Sequence, residues 1–189
     1  MTQQMKLPKT TALIVIDVQN GFDHPRWGAR NNPQAEANIV KLLEAWRASE
    51  RPVIFVRHDS KSKSAPLHPG QTGNDLKALL ERRDSEPVIG KTVNSAFIST
   101  DLETRLHAMN AKTLVIVGLT TDHCVSTTTR MAGNLGFETF LVADASATFA
   151  KTGFDGRAWS AKELHDSALA QIHEEFCTVL ETNTLLERL

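Results

Sequence analysis

The chain has 189 residues, which suits one medium-sized domain over residues 1–189. With 41% hydrophobic and 23% charged residues it has the composition of a soluble globular protein. A formal net charge of -1, with Lys and Arg spread along the chain, argues against a nucleic-acid or anionic-membrane partner.

The opening M-T-Q-Q-M-K-L-P-K-T lacks the apolar core of a signal peptide, and no apolar run approaches the ~18 residues of a membrane span. Two cysteines, Cys124 and Cys177, do not make a disulfide framework. The expectation is a cytoplasmic protein with two reduced thiols.

The first element, T-A-L-I-V-I-D at 11–17, is a near-continuous β-branched run, as a strand buried on both faces should be. Residues 33–50 then place Ile39, Leu42, Leu43 and Trp46 at helical spacing, with Pro33 suited to the first turn. A second strand is expected over 52–57, a helix over 75–82, and a third strand, P-V-I-G-K, over 87–91. A helix over 101–109 leads to the strand T-L-V-I-V-G at 113–118. The helix expected over 124–135 ends at Gly136, and a strand over 138–143 follows. A helix over 160–174 and a short strand over 177–180 complete the series. About six alternations of strand and helix give an α/β fold in three layers, a parallel sheet with helices on both faces.

In such a sheet, ligands bind outside the carboxyl ends of the strands, near the point where strand order reverses. Asp17 ends the first strand, Lys91 ends the third, and Cys124 follows the fourth, so three reactive side chains share one rim. A cysteine of ordinary pKa, about 8.5, is mostly thiol at neutral pH. A helix N-terminus and the Lys91 ammonium both favour its thiolate. Asp17 is suited to take the thiol proton and pass it to a leaving amine, and amides within 118–124 are placed to hold an oxyanion. A buried cysteine serving as a small hydrophobe is the competing reading, and spacing alone does not choose between them. The absence of G-x-x-x-x-G-K-[ST] and G-x-G-x-x-G motifs removes a nucleotide or dinucleotide site, and no cofactor is expected.

Four segments in order carry a resemblance: A-L-I-V-I-D-V-Q-N-G-F, K-T-V-N-S-A-F, G-L-T-T-D-H-C-V-S-T-T-T-R and G-F-E-T-F-L-V-A-D-A-S-A-T-F. Over nearly its whole length the chain resembles the isochorismatase-like cysteine hydrolases, whose members include nicotinamidases and N-carbamoylsarcosine amidohydrolases. The resemblance implies a six-stranded parallel sheet of Rossmann-like form, homo-oligomers (dimer or tetramer), and a catalytic triad of Asp17, Lys91 and Cys124. It also implies a cis peptide between Leu119 and Thr120, with the amides of Thr120 and Cys124 as the oxyanion hole.

Nicotinamidases of this family carry a metal site built on an Asp-x-His pair with further histidines after the second strand. Here that region reads R-H-D-S-K-S-K-S-A-P-L-H-P-G; it holds His58, Asp59 and His68 but no Asp-x-His. No metal is expected, and His58 is assigned to orienting a loop or contacting substrate. The segment at 24–33 follows the first strand, with Trp27 as an aromatic wall and Arg30 or Asn31 as polar substrate contacts; a subunit contact is the equal alternative. Phe97, Phe149 and Phe154 are open between pocket and core.

His123 adjoins Cys124 but cannot face it on a helix, so a papain-like pair is discounted. Cys177 and Trp46 are assigned to the core, and His107, His165 and His173 to structural or solvated roles. The resulting expectation is a hydrolase cleaving a non-peptide C–N bond of a small-molecule amide through a thioester intermediate. The alternatives are isochorismatase-type vinyl ether hydrolysis, or a non-catalytic interaction protein that retains the fold.

Overall fold

The parallel sheet expected from alternation is present in the computed structural model, which describes residues 6–189. The first five residues of the opening stretch read above lie outside the described residues. In chain order the elements are β1 (Ala12–Ile16), α1 (Ala35–Ala48), β2 (Val53–His58), β3 (Val88–Lys91), α2 (Leu102–Ala108) and β4 (Thr113–Leu119). Then follow α3 (Ser126–Asn134), β5 (Glu138–Ala147), β6 (Lys151–Thr152), β7 (Ala158–Trp159), α4 (Ala161–Ile172), β8 (Thr178–Leu180) and α5 (Thr182–Leu186).

Six strands pair in the order β3-β2-β1-β4-β5-β8, all parallel, and β6 and β7 form a separate small hairpin. Strand order reverses between β1 and β4, whose register sets Ile16 beside Gly118. At the far side of β1, His58 at the end of β2 pairs with Lys91 at the end of β3. The strand ends carrying Asp17, His58, Lys91 and the Cys124 turn therefore lie along one edge of the sheet.

The two core layers follow from the two-residue period of a strand. Leu13, Val15, Phe55, Val115 and Val117 face α1 and α5, meeting Ile39, Leu42, Leu43, Trp46 and Leu185. The alternate residues Ile14, Ile16, Ile54, Val56, Leu114 and Ile116 face α2, α3 and α4, meeting Leu102, Leu106, Ala132 and Ile172. This two-sided burial is why β1 and β4 read as unbroken apolar runs rather than as alternating ones. Trp46 is wholly buried and its Nε1 donates to the Thr11 carbonyl at 3.0 Å.

Several boundaries differ from the sequence reading. The helix expected over 75–82 is only a 3-10 turn at Ala78–Leu80. Its leading residues are tied instead to the chain leaving β1: Lys77 N–H donates to the Val18 carbonyl, and Asn20 N–H to that of Asp75, both at 2.9 Å. Pro33 precedes α1, whose N-cap is Gln34. β5 runs four residues past its expected end, and the β6–β7 hairpin was not expected. Cys177 lies just ahead of β8, buried, with its thiol directed to the Ile172 carbonyl at 3.6 Å.

Candidate active site

Glycine makes the close approach at the switch point possible. A Cβ on Gly118 would lie 2.0 Å from the Ile16 carbonyl oxygen, and the residue has φ 124°, which side chains disfavour. Beyond it the Leu119–Thr120 peptide bond is cis. Thr121–Val125 form a single wide turn, with Val125 N–H reaching the Thr120 carbonyl at 3.2 Å, and α3 continues from it. Cys124 thus sits on a turn leading into a helix, two residues before α3 begins. On the neighbouring strand, Asp17 adopts left-handed backbone (φ 51°) as the chain leaves β1.

The three rim residues meet. Lys91 Nζ lies 2.7 Å from Asp17 Oδ2 and 3.2 Å from Cys124 Sγ, and the Lys91 and Asp17 side chains have no solvent exposure. Asp17 Oδ1 is also buried and has no hydrogen-bond partner among the described residues. Burial raises the Asp17 carboxyl above its ordinary range, with Lys91 opposing. Burial also pushes the Cys124 thiol up to about 12, reinforced by the negative charge of Asp17 and opposed by Lys91. This direction runs against the expectation of a thiolate held by Lys91 and a helix end. Desolvation outweighs Lys91 and favours the thiol, beside an Asp17 oxygen with no hydrogen-bond partner among the described residues.

Asp17 and Cys124 line a cavity of about 140 Å³ together with Thr120, His58, Asn94, Leu67 and three aromatic residues. The rings of Phe22, Trp27 and Phe149 pack mutually, with centroids 5.2, 5.7 and 6.0 Å apart. Trp27 Nε1 donates to the Gly21 carbonyl at 2.8 Å, fixing the indole over the site. His123 and Lys151 stand at the mouth. Lys151 is ion-paired with Asp122, whose other oxygen takes the Thr148 hydroxyl at 2.5 Å.

Of the residues singled out from sequence, Trp27, His58 and Phe149 line this cavity, while Arg30, Asn31 and Phe97 do not. Arg30 is a correction: Nη1 donates to Glu36 Oε1 at 2.7 Å, because Glu36 is buried in the first turn of α1 and needs a cation. Lys77 completes that pairing at 2.8 Å. Asn31 is a second: Oδ1 accepts from Thr148 N–H at 2.7 Å and ties the loop to the chain leaving β5. Phe97 is a third: it stacks on Phe137 at 5.9 Å against the core. Phe154 is fully exposed on the segment between β6 and β7.

Sequence reasoning missed Phe22, Leu67, Asn94 and Lys151. Phe22 stands inside the quoted D-V-Q-N-G-F stretch, Asn94 inside K-T-V-N-S-A-F and Leu67 in the segment after the second strand, but nothing in the sequence marks Lys151. His123, discounted as a partner of Cys124, faces the cavity mouth with Nε2 3.2 Å from Lys151 Nζ. His165, assigned a structural role, is buried against Thr121 Oγ1 at 2.8 Å beneath the nucleophile turn.

The residues after β2 do not fit the metal site of the nicotinamidase branch. Among the described residues His58, Asp59 and His68 do not gather as a ligand cluster: Asp59 pairs with Arg57 at 2.8 Å, and His68 Nδ1 meets the Ser60 carbonyl at 2.8 Å. Asp17, His58 and Cys124 do hold ligand atoms within 4.8 Å of one another. The Lys91 ammonium, at 2.7–3.2 Å from all three, takes the position a cation would need.

A doubly wound parallel sheet with Asp, Lys and Cys gathered at its switch point defines an isochorismatase-like hydrolase fold. The isochorismatase domain model matches residues 11–184, and the chain belongs to the isochorismatase family. It is 47% identical over 175 residues to YrdC, an uncharacterized isochorismatase family protein of Bacillus subtilis, covering 93% of this chain and 94% of that one. A solved structure from Chromobacterium violaceum, assigned to the same family, superposes with a TM-score of 0.95 at 42% identity. It covers 100% of this chain and 98% of its own. Nicotinamidase 3 of Arabidopsis thaliana is 28% identical over 190 residues, covering 94% of this chain and 87% of its own. Among the described residues, no helix is long and apolar enough to cross a membrane.

Proposed function

We propose that the protein is a cysteine hydrolase that cleaves the C–N bond of a small, uncharged amide. The carrying observation is the buried contact of one ammonium, Lys91, with both the Asp17 carboxylate and the Cys124 sulfur, at the floor of an aromatic-walled cavity. Likeness to a nicotinamidase supports amide chemistry. Among the described residues the charges around the cavity pair off, Asp17 with Lys91 and Asp122 with Lys151, so none of them is left unpaired for an ionised substrate. The ring wall of Phe22, Trp27 and Phe149 favours a flat, apolar acyl group.

In this reading, Asp17 takes the thiol proton through its open Oδ1 as the sulfur attacks the carbonyl carbon. The raised carboxyl is a better base than an ordinary aspartate, and proton transfer to it is delayed until a substrate is bound. The amides of Thr120 and Cys124 hold the tetrahedral oxyanion. Collapse breaks the C–N bond, and Asp17 returns its proton to the leaving nitrogen. Water, losing a proton to Asp17, attacks the thioester; the acid departs and Asp17 reprotonates the sulfur. Lys91 keeps Asp17 oriented and offsets the charge that forms on sulfur.

The test is ammonia release from a panel of aliphatic amides, nicotinamide and ureido acids, with a Cys124→Ala control. Uncharged amides should be turned over, and the variant should lose at least about 10³-fold in kcat while keeping its fold. Amidase activity retained in Cys124→Ala overturns the covalent mechanism. Pyruvate release from isochorismate that survives loss of Cys124 but not of Asp17 selects vinyl ether hydrolysis instead.

A further inference from the structure

An ammonium has three protons, and four acceptors crowd that of Lys91. Asp17 Oδ2 stands at 2.7 Å, while the Val93 carbonyl, His58 Nδ1 and Cys124 Sγ each stand at 3.2 Å. For the ammonium to donate to His58 Nδ1 that nitrogen must carry a lone pair, which assigns a neutral His58 its proton on Nε2. The residue is held with unusual redundancy. Its N–H donates to Gln19 Oε1 at 2.9 Å, and its carbonyl accepts from Gln19 Nε2 at 3.1 Å and Asn74 Nδ2 at 3.0 Å. Gln19 is itself wholly buried. Three side-chain bonds hold the backbone of His58, and so the root of its side chain, in place.

We propose that His58 is a positioning residue whose neutral Nδ1 anchors the Lys91 ammonium between Asp17 and Cys124. The proposal rests on the triad reading above and adds a fourth member to it. Lysine is a flexible four-carbon stem ending in a point charge. Reaching from β3 past the end of β2, its tip is held by Asp17 on one side and the Val93 carbonyl on another, and His58 supplies the contact from β2.

The anchor is sensitive to acid. The groups facing His58 are Asp17 from β1, Lys91 from β3, Cys124 from the turn after β4, and Asp59 just beyond β2. His123 and Lys151 line the same cavity at its mouth. Protonation of His58 removes the acceptor and sets an imidazolium 3.2 Å from an ammonium. Burial first, then Lys91, lowers the His58 pKa below its ordinary value, so the anchor is intact at neutral pH and released only in acid.

The test compares His58→Ala with His58→Asn, since asparagine offers a non-titrating acceptor near the Nδ1 position and alanine offers none. We expect His58→Ala to lower kcat/KM by about 30-fold, mostly in kcat, and His58→Asn to recover to within about threefold of wild type. The acid limb of the kcat/KM profile should fall from a two-proton slope, His58 with Asp17, to a one-proton slope in His58→Asn. Alkylation of Cys124 by iodoacetamide should slow in His58→Ala and recover in His58→Asn. Nitrogen-15 NMR of the wild type should show the His58 proton on Nε2.

His58→Asn as impaired as His58→Ala, or a proton on Nδ1, overturns the proposal. The alkylation and NMR readouts need no substrate. An absence of turnover with every amide therefore counts against the hydrolase reading, whereas equal alkylation rates in both variants count against the anchor.

Discussion

Replacing Lys91 by Met removes the ammonium paired with Asp17 while nearly conserving buried volume, so little cavity term is expected. Asp17 is then left without a partner on either oxygen, since Oδ1 has none among the described residues even in the wild type. A buried, unpaired carboxylate takes up a proton rather than stay charged. Holding a carboxyl of ordinary pKa 3.8 in its neutral form at pH 7 costs about 4 kcal/mol, at 1.36 kcal/mol per pKa unit, and under about 2 kcal/mol at pH 5.

The sign follows from linkage. A raised pKa in the folded state means the native protein keeps a proton that the unfolded chain releases, so stability is greatest in acid and falls as pH rises. Part of that loss is already present in the wild type, because Asp17 is raised despite Lys91. The 4 kcal/mol is thus a ceiling on the difference.

Urea unfolding followed by tryptophan fluorescence at pH 5 and pH 8 measures it. Lys91→Met should be destabilised at pH 8 by at least about 1 kcal/mol more than at pH 5. Combining it with His58→Asn keeps an imidazolium from taking the place of Lys91. A destabilisation equal at both pH values, in both backgrounds, refutes the view that Asp17 depends on Lys91 for its charge.

Gly118→Ala should destabilise the protein by about 3 kcal/mol or more and abolish activity, because the new methyl meets backbone rather than a movable side chain; an unchanged melting temperature would contradict this. Glu36 stands at the opposite electrostatic extreme. Burial opposes its ionisation, but hydrogen bonds from Arg30 and Lys77 draw its pKa from 4.5 to about 2. A lowered pKa contributes stability above pH 4.5 that is lost as pH falls toward 2. Glu36→Gln should therefore cost about 2 kcal/mol at pH 7, after discounting for solvent screening, and progressively less in acid, as pH-dependent urea melts would report. Trp27→Ala removes one side of the aromatic wall and should raise KM about tenfold with a smaller change in kcat. A change confined to kcat would remove the indole from substrate binding.

The positions of Asp17, Lys91 and Cys124 were legible because each abuts an apolar strand run, and parallel sheets gather the carboxyl ends of their strands on one side. The loops were less legible. Arg30 and Asn31 lie on the loop whose Trp27 covers the cavity, yet their side chains turn away, one to a buried acid on α1 and one to Thr148. Their residue types suit substrate binding equally well, and only their partners, 6 and 117 residues away in sequence, decide otherwise. Lys151 reaches the cavity from a segment with no local pattern to announce it.

The sequence by itself determined the alternation of elements, the three reactive rim residues and the family, because those depend on local periodicity and on ordered motifs. Only the tertiary structure decided the state of those residues. Desolvation pushes both the Cys124 thiol and the Asp17 carboxyl up, and it depends on what the rest of the chain packs over them. The same holds for His58, whose place beside Lys91 follows from the pairing of β2 with β3 and from the Gln19 clamp between the ends of β1 and β2. Protonation and hydrogen-bond partnership are properties of the assembled site, set by neighbours that sequence distance does not reveal.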